Sequence, residues 1–288
     1  MENEFLNTES SHSSQDHSPN ESPRGGEYYG KKISAKKDRK LFWIGLAFLF
    51  IVVFFTLQQK EYSFLLVLSS ISFMGSFFVL AYKIFNYTNS SGVSWNSVVL
   101  YFFVILTRLF STLIFNQYQP HDFFSRFFYN FCLVGSLVLV FLNKLFITKF
   151  FNKYSETEKT DYIGFKRILF PCLILSWFFH PNLDNNKLID SSWAASNFIE
   201  ALAIYPQLKL KYRKHVIEDY TSHYIALQGV SRILSLLYWW NTFEELSDFN
   251  FGVVVVGSHL LQIVLMLDFY FSYFKYIIKN EKIVLRNI

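Results

Sequence analysis

The chain divides into long apolar blocks separated by short polar turns. A helix needs about 20 predominantly apolar residues to cross a bilayer, with a range of about 17–25. Eight blocks are candidates: residues 41–58, 63–85, 98–115, 124–147, 165–180, 189–210, 222–240 and 251–278. The fifth is short and carries Pro171, and the sixth is the most polar. Ahead of them, residues 1–40 are rich in Ser, Asn, Glu, Gly and His with almost no apolar clustering, and read as a disordered tail. The first apolar run begins only at Leu41 and no small-residue cleavage pattern follows it, which argues against a signal peptide.

Composition agrees with a lipid environment. The 288 residues are 52% hydrophobic and 17% charged, against about 25% charged in a soluble domain. A net charge of +5 is modest for the length and gives little support to nucleic-acid binding. Cys132 and Cys172 both lie inside apolar runs, which is neither a disulfide framework nor a metal-ligand spacing. No activated nucleophile, metal set or phosphate loop is visible, so enzyme chemistry, metal and cofactor are not expected.

Charge placement orients the blocks. Lys31, Lys32, Lys36, Lys37, Arg39 and Lys40 precede the first, and the turn after it has Lys60 alone. Basic-rich and basic-poor connections then alternate to the C-terminus, with Lys209, Lys211, Arg213 and Lys214 at the end of the sixth block. The positive-inside bias puts both termini in the cytosol. A weak internal repeat accompanies this pattern: Ser231-Arg232 matches Thr107-Arg108, Gln207 matches Lys83, and Val-Gly-Ser recurs at Val134 and Val256. It predicts two parallel three-helix units, spans two to four and six to eight, joined by span five, with a ligand site near the midplane between them.

Four ionisable residues, Arg108, Glu200, Arg232 and Asp268, fall inside the blocks. Charges there are costly and belong in a bundle interior or a wet cavity. Arg108, Glu200 and Arg232 each lie ten residues into their spans, about 15 Å deep, whereas Asp268 is nearer the cytosolic end. In the sixth span Asp190, Trp193, Asn197, Glu200 and Gln207 share an arc of about 100°. Gln228, Arg232 and Ser235 share a face of the seventh, and Ser69, Ser72 and Ser76 one of the second. These faces would line a lumen-open cavity with Asp190 and Trp193 at its mouth and Arg108, Glu200 and Arg232 at its floor. One reading is a buried ion-pair network in which Glu200 and Asp268 neutralise the two arginines. The other treats Arg108, with no acid on its own span, as a spare guanidinium suited to a carboxylate ligand. His259 shares a face with Gln262 and is either a pH-sensing or a structural group.

The segments "FIEALAIYPQL" (198–208), "TSHYIALQGVSRILSLLYWW" (221–240) and "MLDFYFSYFKYIIK" (266–279), with weaker support from "KIFNYTNSSGVS" (83–94) and Arg108, resemble the KDEL-receptor family of ER lumen protein-retaining receptors. The resemblance covers residues 63–288. Together with an extra span at 41–62, it is similar to a divergent, longer branch. It implies an all-α membrane protein of eight helices: two three-helix repeats around a linking helix, akin to PQ-loop and sugar-transporter (SWEET-like) folds, plus one N-terminal helix. It also implies binding of K/HDEL-like C-terminal signals of lumenal cargo in ER and Golgi membranes, retrograde return to the ER, and cytosolic contact with coat proteins. By the resemblance, Arg108 holds the peptide carboxylate, Asp190 and Trp193 receive its basic residue, and Glu200 with Arg232 couples protonation to closure. Asn197, His259 and Asp268 are candidate pH-linked or structural groups.

The chain departs from that pattern at Leu66, Phe73, Ser111, Ser231, Tyr238 and Thr242, which leaves two cationic contacts to the signal's acids unfilled. The rival readings are a small-solute transporter of PQ-loop type and a scaffold that has lost cargo binding.

Overall fold

The computed structural model describes residues 62–87, 92–114, 118–120, 122–151, 164–181, 186–214, 219–243 and 249–279. The expected tail (1–40) and the expected first span (41–58) lie outside the described residues. The helices are α1 (Ser63–Tyr87), α2 (Trp95–Leu109), α3 (Phe123–Phe151), α4 (Lys166–Phe178), α5 (Lys187–Ala203), α6 (Tyr205–Lys214), α7 (Asp219–Asn241) and α8 (Phe249–Lys279). Helix α2 continues as a π-helical segment, Phe110–Ile114.

Local chemistry sets several boundaries. Ser94 caps α2 by accepting from the Ser97 backbone N–H at 3.2 Å, and Asn186 caps α5 by accepting from Leu188 N–H. Asp122 accepts from Ser125 N–H at 2.8 Å ahead of α3. Such caps satisfy donors that the first turn leaves unpaired. Pro206 lacks an N–H and cannot continue α5, so the helix breaks at Ile204 and restarts as α6. The Ala203 carbonyl beside the break takes the Ser97 hydroxyl instead, at 2.5 Å.

Among the described residues, four segments are long and apolar enough to cross a membrane: Ser63–Asn86, Trp95–Leu113, Phe123–Lys149 and Gly252–Lys275. Their outward faces are apolar. Phe123, Phe124, Phe127 and Phe131 on α3 are exposed, as are Phe170, Ile174 and Phe178 on the shorter α4. Exposed apolar surface on this scale suits lipid as solvent.

The most extensive packing is α1 against α7, followed by α1 on α3 and α2 on α5. A polar seam runs along the α1–α7 contact. Ser69 bonds Ser231 (2.9 Å to its carbonyl), Gln228 donates to Ser76 (2.6 Å), and Lys83 donates to Thr221 (2.9 Å). The α1 members recur every seven residues, while their partners run backwards along α7. That is the spacing of two antiparallel helices keeping one seam in register. Phe73, Phe77, Tyr101 and Tyr224 pack edge-on or tilted beside it with centroids 5.0–5.9 Å apart.

The expected architecture needs correction. With α5 and α6 as one broken run, the described residues form a bundle of seven helical runs, not eight spans built as two three-helix repeats. The most extensive contact, α1 on α7, joins the two expected units instead of lying within either. The repeat-matched residues also do different work. A Cβ on Gly135 would meet the Met74 sulfur at 2.7 Å, whereas Gly257 faces open space. Lys83 reaches α7, whereas Gln207 holds a loop. The correspondence arose from residue types that are common in any membrane helix.

Gln207 also explains why polarity is retained where α6 begins. Its side-chain N–H donates to the Gly92 carbonyl (2.8 Å) and its carbonyl accepts from Ser94 N–H (2.7 Å). This two-point clamp fixes the entry to α2, and with it the helix that carries Arg108. Gly92 itself sits at φ +76°, a left-handed conformation that favours glycine. Gln207→Ala leaves two buried backbone groups without these partners, and we expect a loss of about 2–6 kcal/mol, at roughly 1–3 kcal/mol per group. Thermal unfolding in detergent measures it. An unchanged melting temperature would show that the clamp is not structural.

Candidate functional site

The site begins where α2 changes register. Just past Arg108 the helix becomes π-helical, a feature that often marks functional positions. Hydroxyls surround the carbonyls at that point. Thr107 O accepts from Ser192 (2.9 Å) and Ser111 (3.2 Å), and Arg108 O accepts from Ser111 (3.1 Å) and Thr112 (2.9 Å). The Ser192 contact ties the register change directly to α5.

Arg108 then reaches across to α5. Its Nη2 donates to Glu200 Oε2 at 2.5 Å and to Asn197 Oδ1 at 3.3 Å, and its Nε donates to Ser196 at 3.4 Å. The same Glu200 oxygen lies 3.1 Å from Arg232 Nη2, on α7. Three helices therefore meet at one carboxylate. The partners differ in access: the Arg108 side chain is 12% exposed, against 3% for Glu200 and 2% for Arg232.

Helix α8 completes the surroundings of Arg232. Its Nε donates to the Gln262 side-chain carbonyl, and its Nη1 lies 3.1 Å from His259 Nε2. A guanidinium only donates, so Nε2 must accept and the ring proton sits on Nδ1, where it donates to Val255 O at 2.9 Å. That is the neutral imidazole, acting as a bracket for the arginine.

A small, partly open cavity lies beside Arg108. Its α2–α5 side presents Arg108, Trp193, Asn197 and Glu200. Opposite are Leu66, Ser69, Ser70 and Phe73 of α1, Tyr129 and Leu133 of α3, and Ser231, Ser235 and Trp239 of α7. Among the described residues no cluster of His, Cys, Asp or Glu is arranged to hold a metal ion.

The sequence-derived candidates divide cleanly. Arg108, Glu200, Arg232, Asn197 and His259 come together as one network. Arg108 is not the spare guanidinium expected, because Glu200 on another helix reaches it. Yet two guanidiniums share one carboxylate, so the three charges sum to a single positive charge, and its accessible part is Arg108. Asp268 stands apart, half-buried and six residues past Gln262, about 9 Å further along α8. The neutralisation of the arginines involves Glu200, not Asp268.

Asp190 and Trp193 are adjacent, as expected, but neither is open. Tyr118, a residue not singled out in the sequence, donates to Asp190 Oδ1 and stacks on Trp193 with centroids 4.1 Å apart at 11°. Trp239 meets Trp193 edge-on at 5.1 Å. Tyr118 adopts φ 56°, a conformation uncommon for a non-glycine residue and worth about 1–3 kcal/mol of strain. A phenol thus occupies the acid and the aromatic face that the sequence reading assigned to a ligand's basic residue. The only hint in the sequence is the aromatic in the polar turn Tyr118-Gln119-Pro120.

Removing the shared carboxylate should be costly. Glu200→Gln leaves two guanidiniums facing each other in a buried site, and breaking such a pair destabilises by about 3–5 kcal/mol. The expected result is a lower melting temperature, recovered in part when Arg232→Gln is added. A Glu200→Gln protein as stable as wild type would contradict the charge count.

Comparisons with known proteins identify the family. The ER lumen protein retaining receptor family matches residues 89–242, which include Arg108, Glu200 and Arg232. The chain is 29% identical over 218 residues to the ER lumen protein-retaining receptor of Dictyostelium discoideum, covering 74% of this chain and 94% of that one. It is 29% identical over 221 residues to receptor B of Arabidopsis thaliana (74% and 94%) and 28% over 212 residues to the Drosophila melanogaster receptor (72% and 91%). The match accords with a seven-helix bundle and overturns the eight-helix double repeat. The family is one of receptors, not enzymes, and its members are multi-pass membrane proteins. The chain belongs to the ER lumen protein retaining receptor family.

Proposed function

We propose that this protein is a sorting receptor of ER and Golgi membranes that captures lumenal proteins by their C-terminal carboxylate and returns them to the ER. One observation carries the reading: Arg108 is the accessible member of a cluster with one unbalanced positive charge, and it faces a cavity. A terminal carboxylate would take the guanidinium's donors by a bidentate pair, displacing the weaker contacts to Ser196 and Asn197. Glu200 would stay with Arg232, whose remaining nitrogens Gln262 and His259 already occupy.

Asp190 and Trp193 would receive the residue upstream of the buried end, once Tyr118 leaves them. The names of the relatives support the assignment, since each is a retaining receptor for ER lumen proteins. The signal would be a short C-terminal peptide of the length of Lys/His-Asp-Glu-Leu. The alternation of basic and neutral connections favours cytosolic termini, and coat proteins are the expected partners on that side.

The test is binding of labelled C-terminal peptides to the purified chain in detergent. A free-carboxylate peptide is expected to bind saturably and at least about tenfold tighter than its C-terminal amide, with Arg108→Ala removing that difference. Equal binding of acid and amide across a library varied over the last four positions would refute the receptor reading. Solute flux in vesicles without such binding would favour a transporter.

A further inference from the structure

We infer that the buried end of the ligand carries one negative charge only, its terminal carboxylate, and that the side chains just before it are uncharged. This rests on the receptor reading above and deepens it. The wall that faces Arg108 is neutral and poor in hydrogen-bond donors.

Charge comes first. The ionisable groups among the described lining residues that bear on an anion are Arg108 and Glu200. With Arg232 behind them the sum is one positive charge, which a single carboxylate exhausts. On the far side the wall offers Leu66, Phe73 and Leu133, which solvate an anion poorly. Asp190, three residues before Trp193 on α5 and held by Tyr118, adds negative charge near the same helix face.

Hydrogen-bond capacity points the same way. Ser69 Oγ donates to Ser231 O at 2.9 Å, so its proton is spent. The 3.1 Å contact between the two hydroxyls must then use the Ser231 proton. Ser70 donates to Val67 O at 2.8 Å. Three of the wall's hydroxyls therefore have lone pairs left to offer and no protons. A ligand carboxylate placed against them meets acceptors, whereas an amide, a hydroxyl or a backbone N–H supplies the donor they lack. The remaining hydroxyls, Tyr129 and Ser235, can donate to a neutral carbonyl but do not balance a charge. An acidic side chain here would be buried without a charge to balance it, whereas its amide isostere is neutral and supplies the donor these hydroxyls lack.

The test compares isosteres. Fluorescein-labelled peptides ending in Lys-Asn-Gln-Leu and in Lys-Asp-Glu-Leu, each as free acid and as C-terminal amide, are titrated against the full chain in nanodiscs. The pH is about 7, where free acidic side chains are ionised. The expected result is that the Asn-Gln free acid binds at least about tenfold tighter than the Asp-Glu free acid, and that amidation abolishes both. If the Asp-Glu peptide binds as well or better and amidation still abolishes it, this inference fails and the receptor reading stands. If amidation makes no difference, both fail.

A second variant reads out a gain. Ser235→Lys places a cation on the neutral wall and is expected to shift the preference toward the Asp-Glu peptide by at least about tenfold. An unchanged preference in a variant that still binds the Asn-Gln peptide would overturn the charge argument.

Discussion

The structure turns on one carboxylate oxygen. Glu200 Oε2 receives Arg108 from one side and Arg232 from the other, at 2.5 and 3.1 Å. Any one of the three groups alone would be expensive at this depth, and two arginines without the acid would repel each other. Together they hold α2, α5 and α7 at one point. They also leave a charge over, and its accessible part faces the cavity. An ion pair that balanced perfectly would be a structural bolt. One with an arginine in excess would, on the proposed function, also offer a place for an anion.

The rest of the fold keeps that imbalance in place. The Ser69, Ser76 and Lys83 seam fixes α1 against α7 and so sets the wall opposite Arg108. The π segment brings hydroxyls around the backbone of Arg108, and Ser192 of α5 holds the register change from outside. Gln207 clamps the loop that leads into α2. His259 and Gln262 bracket Arg232 so that it remains behind the acid while Arg108 stays in front. Tyr118 covers the neighbouring aromatic face, at the cost of an unfavourable φ.

Much of this was legible from residue type and depth. Arg108, Glu200 and Arg232 stood out because charge is rare inside apolar blocks, and a rise of about 1.5 Å per residue brought them to one level. The polar stripe from Asp190 to Gln207 was visible as a helical arc. What depth alone could not supply was azimuth. Asp268 has the right charge but sits too far along α8, and Arg108 lacked a partner only because its acid lies on another helix. The repeat misled because matching residue names at matching spacings do not fix what each side chain touches, as Gly135 and Gly257 illustrate. The π segment and Tyr118 left almost no trace, since a register change and a left-handed tyrosine depend on tertiary contacts that no local pattern encodes.

The central claim is that Arg108 carries the cluster's unbalanced charge and presents it to a ligand's terminal carboxylate. The most direct measurement is a high-resolution map of the full chain with a free-carboxylate peptide bound. The account predicts the peptide's last carboxylate in bidentate contact with the Arg108 guanidinium, Glu200 still on Arg232, and the Trp193 face vacated by Tyr118. A peptide bound elsewhere, or a terminal carboxylate lodged against any group other than Arg108, would contradict it.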